Sequence, residues 1–183
     1  MLSTPEVLRR TGGKPVKSIV FDEATIAARV ETLGAEITEA YPDGELLVLG
    51  LLKGSFIFLS DLVRKIERPI QVDFLVASSY GEGKVSSGRV RLLYDPETRL
   101  EGKHILLVED IIDSGRTLAS LMDRLRSRGP RSLAICALLD KRLAAPVPDL
   151  RFVGFTAPPV FLVGYGLDHA EDFRHLPYIA EVG

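Results

Sequence analysis

Three stretches of this chain are apolar, or glycine, from end to end: residues 46–52, 105–108 and 133–139. A strand with one wet face alternates apolar and polar residues, whereas an unbroken apolar run fits a strand covered on both faces, as in a parallel sheet. The segments around these runs carry a helical period instead. Ile26, Val30, Leu33 and Ile37 recur every three or four residues behind Asp22, a capping residue, and Pro42-Asp43-Gly44 ends them with turn chemistry. Phe58, Leu62 and Ile66 recur within 54–66, before Pro69, and Leu118, Leu121, Met122 and Leu125 mark a helix over 117–128, closed by Gly129-Pro130. Buried strands alternating with amphipathic helices predict an α/β fold, a central, mostly parallel sheet flanked by helices.

The remaining segments are less regular. Residues 1–18 are mixed and polar, which predicts a loose arm and a first short strand. Val72, Phe74 and Val76 alternate within a strand over 70–78. Residues 79–88 are polar and glycine-rich, a loop, after which strand character resumes over 89–94. Short strands are expected at 152–155 and 160–163. No repeat or linker divides the chain, and 183 residues suit one domain with a substantial core.

Composition excludes several classes. Lys and Arg total 23 against 25 Asp and Glu, so no broad nucleic-acid face is expected. The single cysteine, Cys136, rules out a disulfide within the chain and lies in an apolar run, as a buried thiol. No apolar run approaches the roughly 18 residues of a membrane span, and residues 1–15 lack a signal peptide's apolar stretch. A cytoplasmic protein without membrane or nucleic-acid partners is expected.

The most informative stretch is Glu109-Asp110-Ile111-Ile112-Asp113-Ser114-Gly115-Arg116-Thr117-Leu118. An apolar strand ends in two carboxylates, and a glycine-containing turn leads into a helix. Ligands of such sheets bind beyond the carboxyl ends of the strands. Amide hydrogens at a helix start cradle phosphate, and the hydroxyls of Ser114 and Thr117 add donors. Carboxylates repel phosphate but accept hydrogen bonds from sugar hydroxyls. A phosphate with an adjacent diol fits this chemistry; a plain helix cap with acidic neighbours fits it too. Neither the Gly-Lys-Ser/Thr ending of a triphosphatase loop nor Gly-x-Gly-x-x-Gly is present.

Residues 109–118 resemble the phosphoribosyl-pyrophosphate signature of the type I phosphoribosyltransferases, and Val108 to Gly115 resembles its hypoxanthine-guanine branch. The similarity runs from about residue 46 to 182. The resemblance implies the type I phosphoribosyltransferase fold, with N- and C-terminal segments forming a small hood, and a flexible loop. It implies transfer of a phosphoribosyl group from 5-phospho-alpha-D-ribose 1-diphosphate to hypoxanthine or guanine. Glu109 and Asp110 would hold the ribose hydroxyls, partly through magnesium; Asp113, Ser114, Gly115, Arg116 and Thr117 would wrap the 5'-phosphate; Asp113 would act as the base near N7 of the purine.

Four further segments are weak alone and gain meaning from the resemblance. Lys53 and Gly54 follow the strand 46–52; by themselves they read as a surface turn, but they resemble the family's pyrophosphate loop, in which the Leu52–Lys53 peptide is able to be cis. Ser79 and Tyr80 begin a stretch that reads as a hairpin connection and resembles the family's flexible catalytic loop. Lys141 ends the strand 132–139 as a solvated lysine would, yet matches the residue that donates to O6 of the purine. Phe161, which alone reads as core, matches the residue that stacks on the base; the Leu162 backbone would read the base edge. Asp168, alone a surface carboxylate, would meet a magnesium-bound water or the base edge, and Arg174 would reach pyrophosphate. Glu109, Asp110 and Asp168 are hard oxygen ligands, which favours Mg2+ over zinc, and neither His104 nor His175 has a partner at metal-ligand spacing. Family likeness also implies a homodimer or homotetramer. The alternatives are a xanthine-preferring enzyme and a nucleotide-sensing regulator on the same fold.

Overall fold

The computed structural model describes residues 4–79, 90–113, 116–142 and 147–183. The three apolar runs form the middle of a six-stranded sheet. β2 (Leu46–Leu52), β5 (His104–Ile112) and β6 (Ser132–Asp140) lie side by side and parallel. β3 (Gln71–Ser79) joins β2 and β7 (Leu150–Thr156) joins β6, both parallel, while β4 (Val90–Tyr94) pairs antiparallel with β3 at the edge. The order is β4-β3-β2-β5-β6-β7.

Both faces of the central strands are covered, which is why they do not alternate. Leu47, Leu49, Ile105, Leu107 and Ile135 pack with Leu118, Leu121, Met122 and Leu125 of α4 (Arg116–Arg126). Val48, Leu106, Val108 and Leu138 pack against α2 (Glu23–Ala40) and α3 (Phe56–Val63), through Ile26, Val30, Leu33, Phe58 and Leu62. Each such side chain, wholly withdrawn from water, contributes about 1.5–3 kcal/mol. The Asp22 carboxylate caps α2 by accepting the Thr25 N–H at 2.8 Å. Among the described residues no helix is long and apolar enough to cross a membrane.

A second, three-stranded sheet joins the two ends of the chain in the order β1-β9-β8, from β1 (Ser18–Phe21), β9 (Ile179–Glu181) and β8 (Leu162–Val163). Val7, Val16, Val163, Phe173, Leu176 and Tyr178 form its small core.

Several boundaries differ from the sequence expectation. A helix, α1 (Pro5–Thr11), stands where a loose arm was expected: Thr4 caps it, Pro5 opens it and Gly12 ends it in the left-handed region at φ 61°. α3 is shorter than 54–66 because Lys53, Gly54 and Ser55 form the turn that enters it, with Ser55 Oγ donating to the Leu51 carbonyl at 2.7 Å. β5 does not stop at Val108. It continues through the acidic pair to Ile112, held in register with β6 as far as the pair Ile112 and Asp140. β8 spans two residues rather than four, and β9 is a strand that the sequence pattern does not predict.

Candidate active site

The carboxyl ends of β2, β5 and β6 deliver the expected residues to one end of the sheet. After β2 the Leu52–Lys53 peptide is cis, and the chain turns through Gly54 into α3. Gly54 makes room here: a β-carbon on it would overlap the Asp110 carboxyl group, so one of the two would have to shift. Gly166 faces this turn from the C-terminal tail, at φ 102°, and a β-carbon there would overlap the Gly54 carbonyl oxygen. The turn 53–55, the acidic pair and the tail around 166–168 therefore meet at one point.

Glu109 and Asp110 sit within β5 rather than beyond it, and keep only partial access to solvent. Burial pushes the Glu109 carboxyl well above the ordinary carboxylate range, and the neighbouring Asp110 charge adds to the shift. Glu109 Oε2 is buried and has no hydrogen-bond partner among the described residues. Burial also pushes Asp110 up to about 6, against the Ile111 N–H, which donates to Oδ1 at 2.9 Å, and against the charge of Arg174. Asp168 lies near enough to raise it further.

Asp168 is occupied within its own turn. Arg174 Nη2 lies 2.8 Å from its Oδ1, and the Glu171 N–H donates to its Oδ2 at 2.8 Å. Arg174 Nη1 also donates to the Gly166 carbonyl at 2.8 Å. Glu109, Asp110 and Asp168 consequently do not form a ready three-carboxylate cage, and among the described residues no three His, Cys, Asp or Glu side chains converge on one point. Lys53 reaches the same turn, its Nζ 3.0 Å from Glu171 Oε2.

Asp113 is exposed just past the end of β5. The Lys141 N–H donates to the Ile112 carbonyl at 3.1 Å, so Lys141 leaves β6 beside Asp113. Phe161, 52% exposed, stands free at the start of the tail with His169 against it, ring centroids 5.2 Å apart. Leu162 follows it, buried in β8. Arg116 and Thr117 open α4, and Ser79 ends β3. Tyr80, Ser114 and Gly115 lie outside the described residues.

Two features of this region escape a reading of the sequence. Glu171 faces both Lys53 and Arg174, and its one local signal is an acid three residues before an arginine. Tyr165 ties the tail to α3, its hydroxyl donating to Asp61 Oδ2 at 2.6 Å.

Two largely buried carboxylates within one strand end, a turn carrying Lys53 and a tail carrying Arg174 thus meet at the carboxyl ends of parallel strands, where ligands of such sheets bind. Comparison with known proteins agrees. The phosphoribosyl transferase domain model matches residues 17–170. The chain belongs to the phosphoribosyltransferase family. It is 48% identical over 173 residues to the hypoxanthine phosphoribosyltransferase of Salmonella typhimurium, across 92% of this chain and 97% of the relative. It is 47% identical to the hypoxanthine-guanine phosphoribosyltransferase of Dictyostelium discoideum, across 91% and 95% of the two chains. A crystal structure of a hypoxanthine phosphoribosyltransferase from Staphylococcus aureus superposes with a TM-score of 0.90 at 36% identity, covering 99% of this chain and 97% of the other.

Proposed function

We propose that this chain transfers the 5-phosphoribosyl group of 5-phospho-alpha-D-ribose 1-diphosphate to hypoxanthine or guanine, giving IMP or GMP and pyrophosphate in purine salvage. The observation that carries the proposal is the emergence of Lys141 beside Asp113 at the end of β5. An ammonium and a carboxylate at neighbouring strand ends suit the O6 and N7 of one 6-oxopurine. The names of the relatives disfavour a xanthine-preferring enzyme or a nucleotide-sensing regulator.

In this reading Glu109 and Asp110 accept hydrogen bonds from the ribose hydroxyls, and residues 113–117 hold the 5'-phosphate. Lys53, the Gly54 backbone and Arg174 hold pyrophosphate. Phe161 stacks on the purine, a contact worth roughly 1–3 kcal/mol. Lys141 donates to O6 and would meet a donor, not an acceptor, in the amino group of adenine. The N9–C1' bond forms as the C1'–O bond to pyrophosphate breaks, and the proton on N7 passes to Asp113.

Magnesium fits the residues present. Glu109 Oε2 is a buried oxygen with no partner among the described residues, and the donor set is all carboxylate. Glu109, Asp110 and, through water, Asp168 would hold the ion, with the remaining ligands drawn from the donor, as is usual for magnesium. The chemistry supplied by bound magnesium is neutralisation of charge on the departing pyrophosphate.

The proposal includes self-association and a cytoplasmic setting. Val72 and Phe74 share one face of β3 and are 43% and 40% exposed, and Tyr94, opposite Val76, is 43% exposed. A homodimer or homotetramer gives this apolar edge a partner. The lone buried thiol Cys136 suits a reducing compartment.

The test is a panel of bases mixed with donor and magnesium and scored by pyrophosphate release. Hypoxanthine and guanine should both turn over, with adenine at least about 100-fold lower in kcat/KM. Highest efficiency with adenine would overturn the assignment of the base pocket.

A further inference from the structure

We propose that Glu171 competes with pyrophosphate for Lys53 and Arg174, and thereby sets how tightly the donor is held. The inference rests on the assignment of those two cations to pyrophosphate. The carboxylate of Glu171 bridges them, with Oε2 3.0 Å from Lys53 Nζ and Oε1 3.5 Å from Arg174 Nη2. Among the described residues Glu171 is the ion partner of Lys53. With Asp168 on the other side of Arg174, two cations and two carboxylates form a neutral quartet. The two carboxylates offset the two cations, so pyrophosphate is attracted less strongly until one carboxylate withdraws.

Glu171 is the one able to withdraw. Asp168 is fixed by Arg174 and by the Glu171 N–H, and Arg174 is fixed by the Gly166 carbonyl. The side chains of Glu171 and Lys53 are 66% and 67% exposed, so the glutamate swings into water with little desolvation to undo. Its backbone stays in place. Ala170, Glu171 and Phe173 hold φ values of 54°, 66° and 73°, a left-handed run that L-residues enter reluctantly, and the bond to Asp168 Oδ2 locks it. This turn keeps an acid poised over the lysine.

An exposed pair of this kind is weak, and the fraction of molecules in which it is closed lowers apparent ligand affinity in proportion. Glu171→Gln removes the competing charge and keeps the shape. Inorganic pyrophosphate with magnesium chloride, titrated calorimetrically into the full chain, should bind Glu171→Gln about two- to fivefold tighter than the parent at low salt. The gap should narrow at about 0.5 M salt. In a Lys53→Met background the same substitution should gain less, because its main partner is gone. The KM for the donor should fall with no rise in kcat. A glutamate that merely braces the turn predicts the reverse, with Glu171→Gln binding equally or more weakly; that result overturns the inference alone. Failure of the parent protein to bind pyrophosphate, with Lys53→Met indistinguishable from it, would overturn the pyrophosphate assignment and the inference with it.

Discussion

Gly54 lies so close to Asp110 that no β-carbon fits between them, and the two belong to different segments, the turn between β2 and α3 on one side and β5 on the other. The close approach couples the turn that would hold pyrophosphate to the carboxylate that would hold ribose. Gly54→Ala must displace one or the other. Overpacking of this sort costs about 1–3 kcal/mol. The expected result is a folded protein with a lowered Tm and, because the turn or the Asp110 carboxylate no longer sits where the donor would meet it, donor affinity reduced on the order of tenfold, a loss of about 1.4 kcal/mol in binding. Thermal melts and donor KM measured together check this, and parental values for both would show that the contact is slack.

Asp110 carries a stability penalty that its substitution should reveal. Its carboxyl is pushed up to about 6 in the folded protein, chiefly by burial, against about 3.9 in an unfolded chain. The folded state thus binds the proton more tightly, and stability falls as pH rises from about 4 to about 6. Below that window both states are protonated and the penalty vanishes. In metal-free buffer at about pH 7.5, Asp110→Asn should be more stable than the parent by about 1–3 kcal/mol, and the advantage should shrink towards pH 4. The same variant should lose donor or magnesium affinity. Denaturant melts across pH decide the matter; a variant less stable at every pH would mean that Asp110 is a structural support.

The central strands were legible because burial on both faces leaves an unbroken apolar run, as at Leu46 to Leu52. The acidic pair was legible as a ligand-binding strand end, but its depth was not: β5 continues past the carboxylates through Ile111 and Ile112, and Asp110 packs against Gly54 of a turn more than 50 residues away. α1 carried a readable signal, Thr4 and Pro5 at one end and Gly12 at the other, within a stretch too polar to suggest order. Contacts between distant segments were not legible in a single sequence. Lys53 and Glu171 are 118 residues apart, and nothing local to either indicates the other. The short strand β9 is of the same kind, since three residues acquire strand geometry only through pairing with β1 and β8.

Assembly should depend on the apolar edge formed by β3 and β4. Val72, at 43% exposure, is accessible enough to change without disturbing the core. Val72→Glu places a charge that becomes costly only when the face is covered. The parent should sediment as a dimer or tetramer of the 20.1 kDa chain, and the variant should shift towards monomer with an unchanged far-UV spectrum. A parent that sediments only as a monomer at working concentration would remove self-association from the account.

The proposed division of labour at the end of β5 is the central claim: Glu109 and Asp110 would serve the donor sugar, whereas exposed Asp113, just past the strand, would serve the base. Asp113→Asn tests it most directly, because asparagine caps a helix start about as well as aspartate but does not accept the purine proton. The measurement is donor affinity beside the single-turnover rate with hypoxanthine. The account predicts a folded variant with donor affinity largely kept and a rate lowered about 10²–10⁴-fold, the range for loss of a positioned acid–base group. A folded Asp113→Asn that turns over at the parental rate would contradict it.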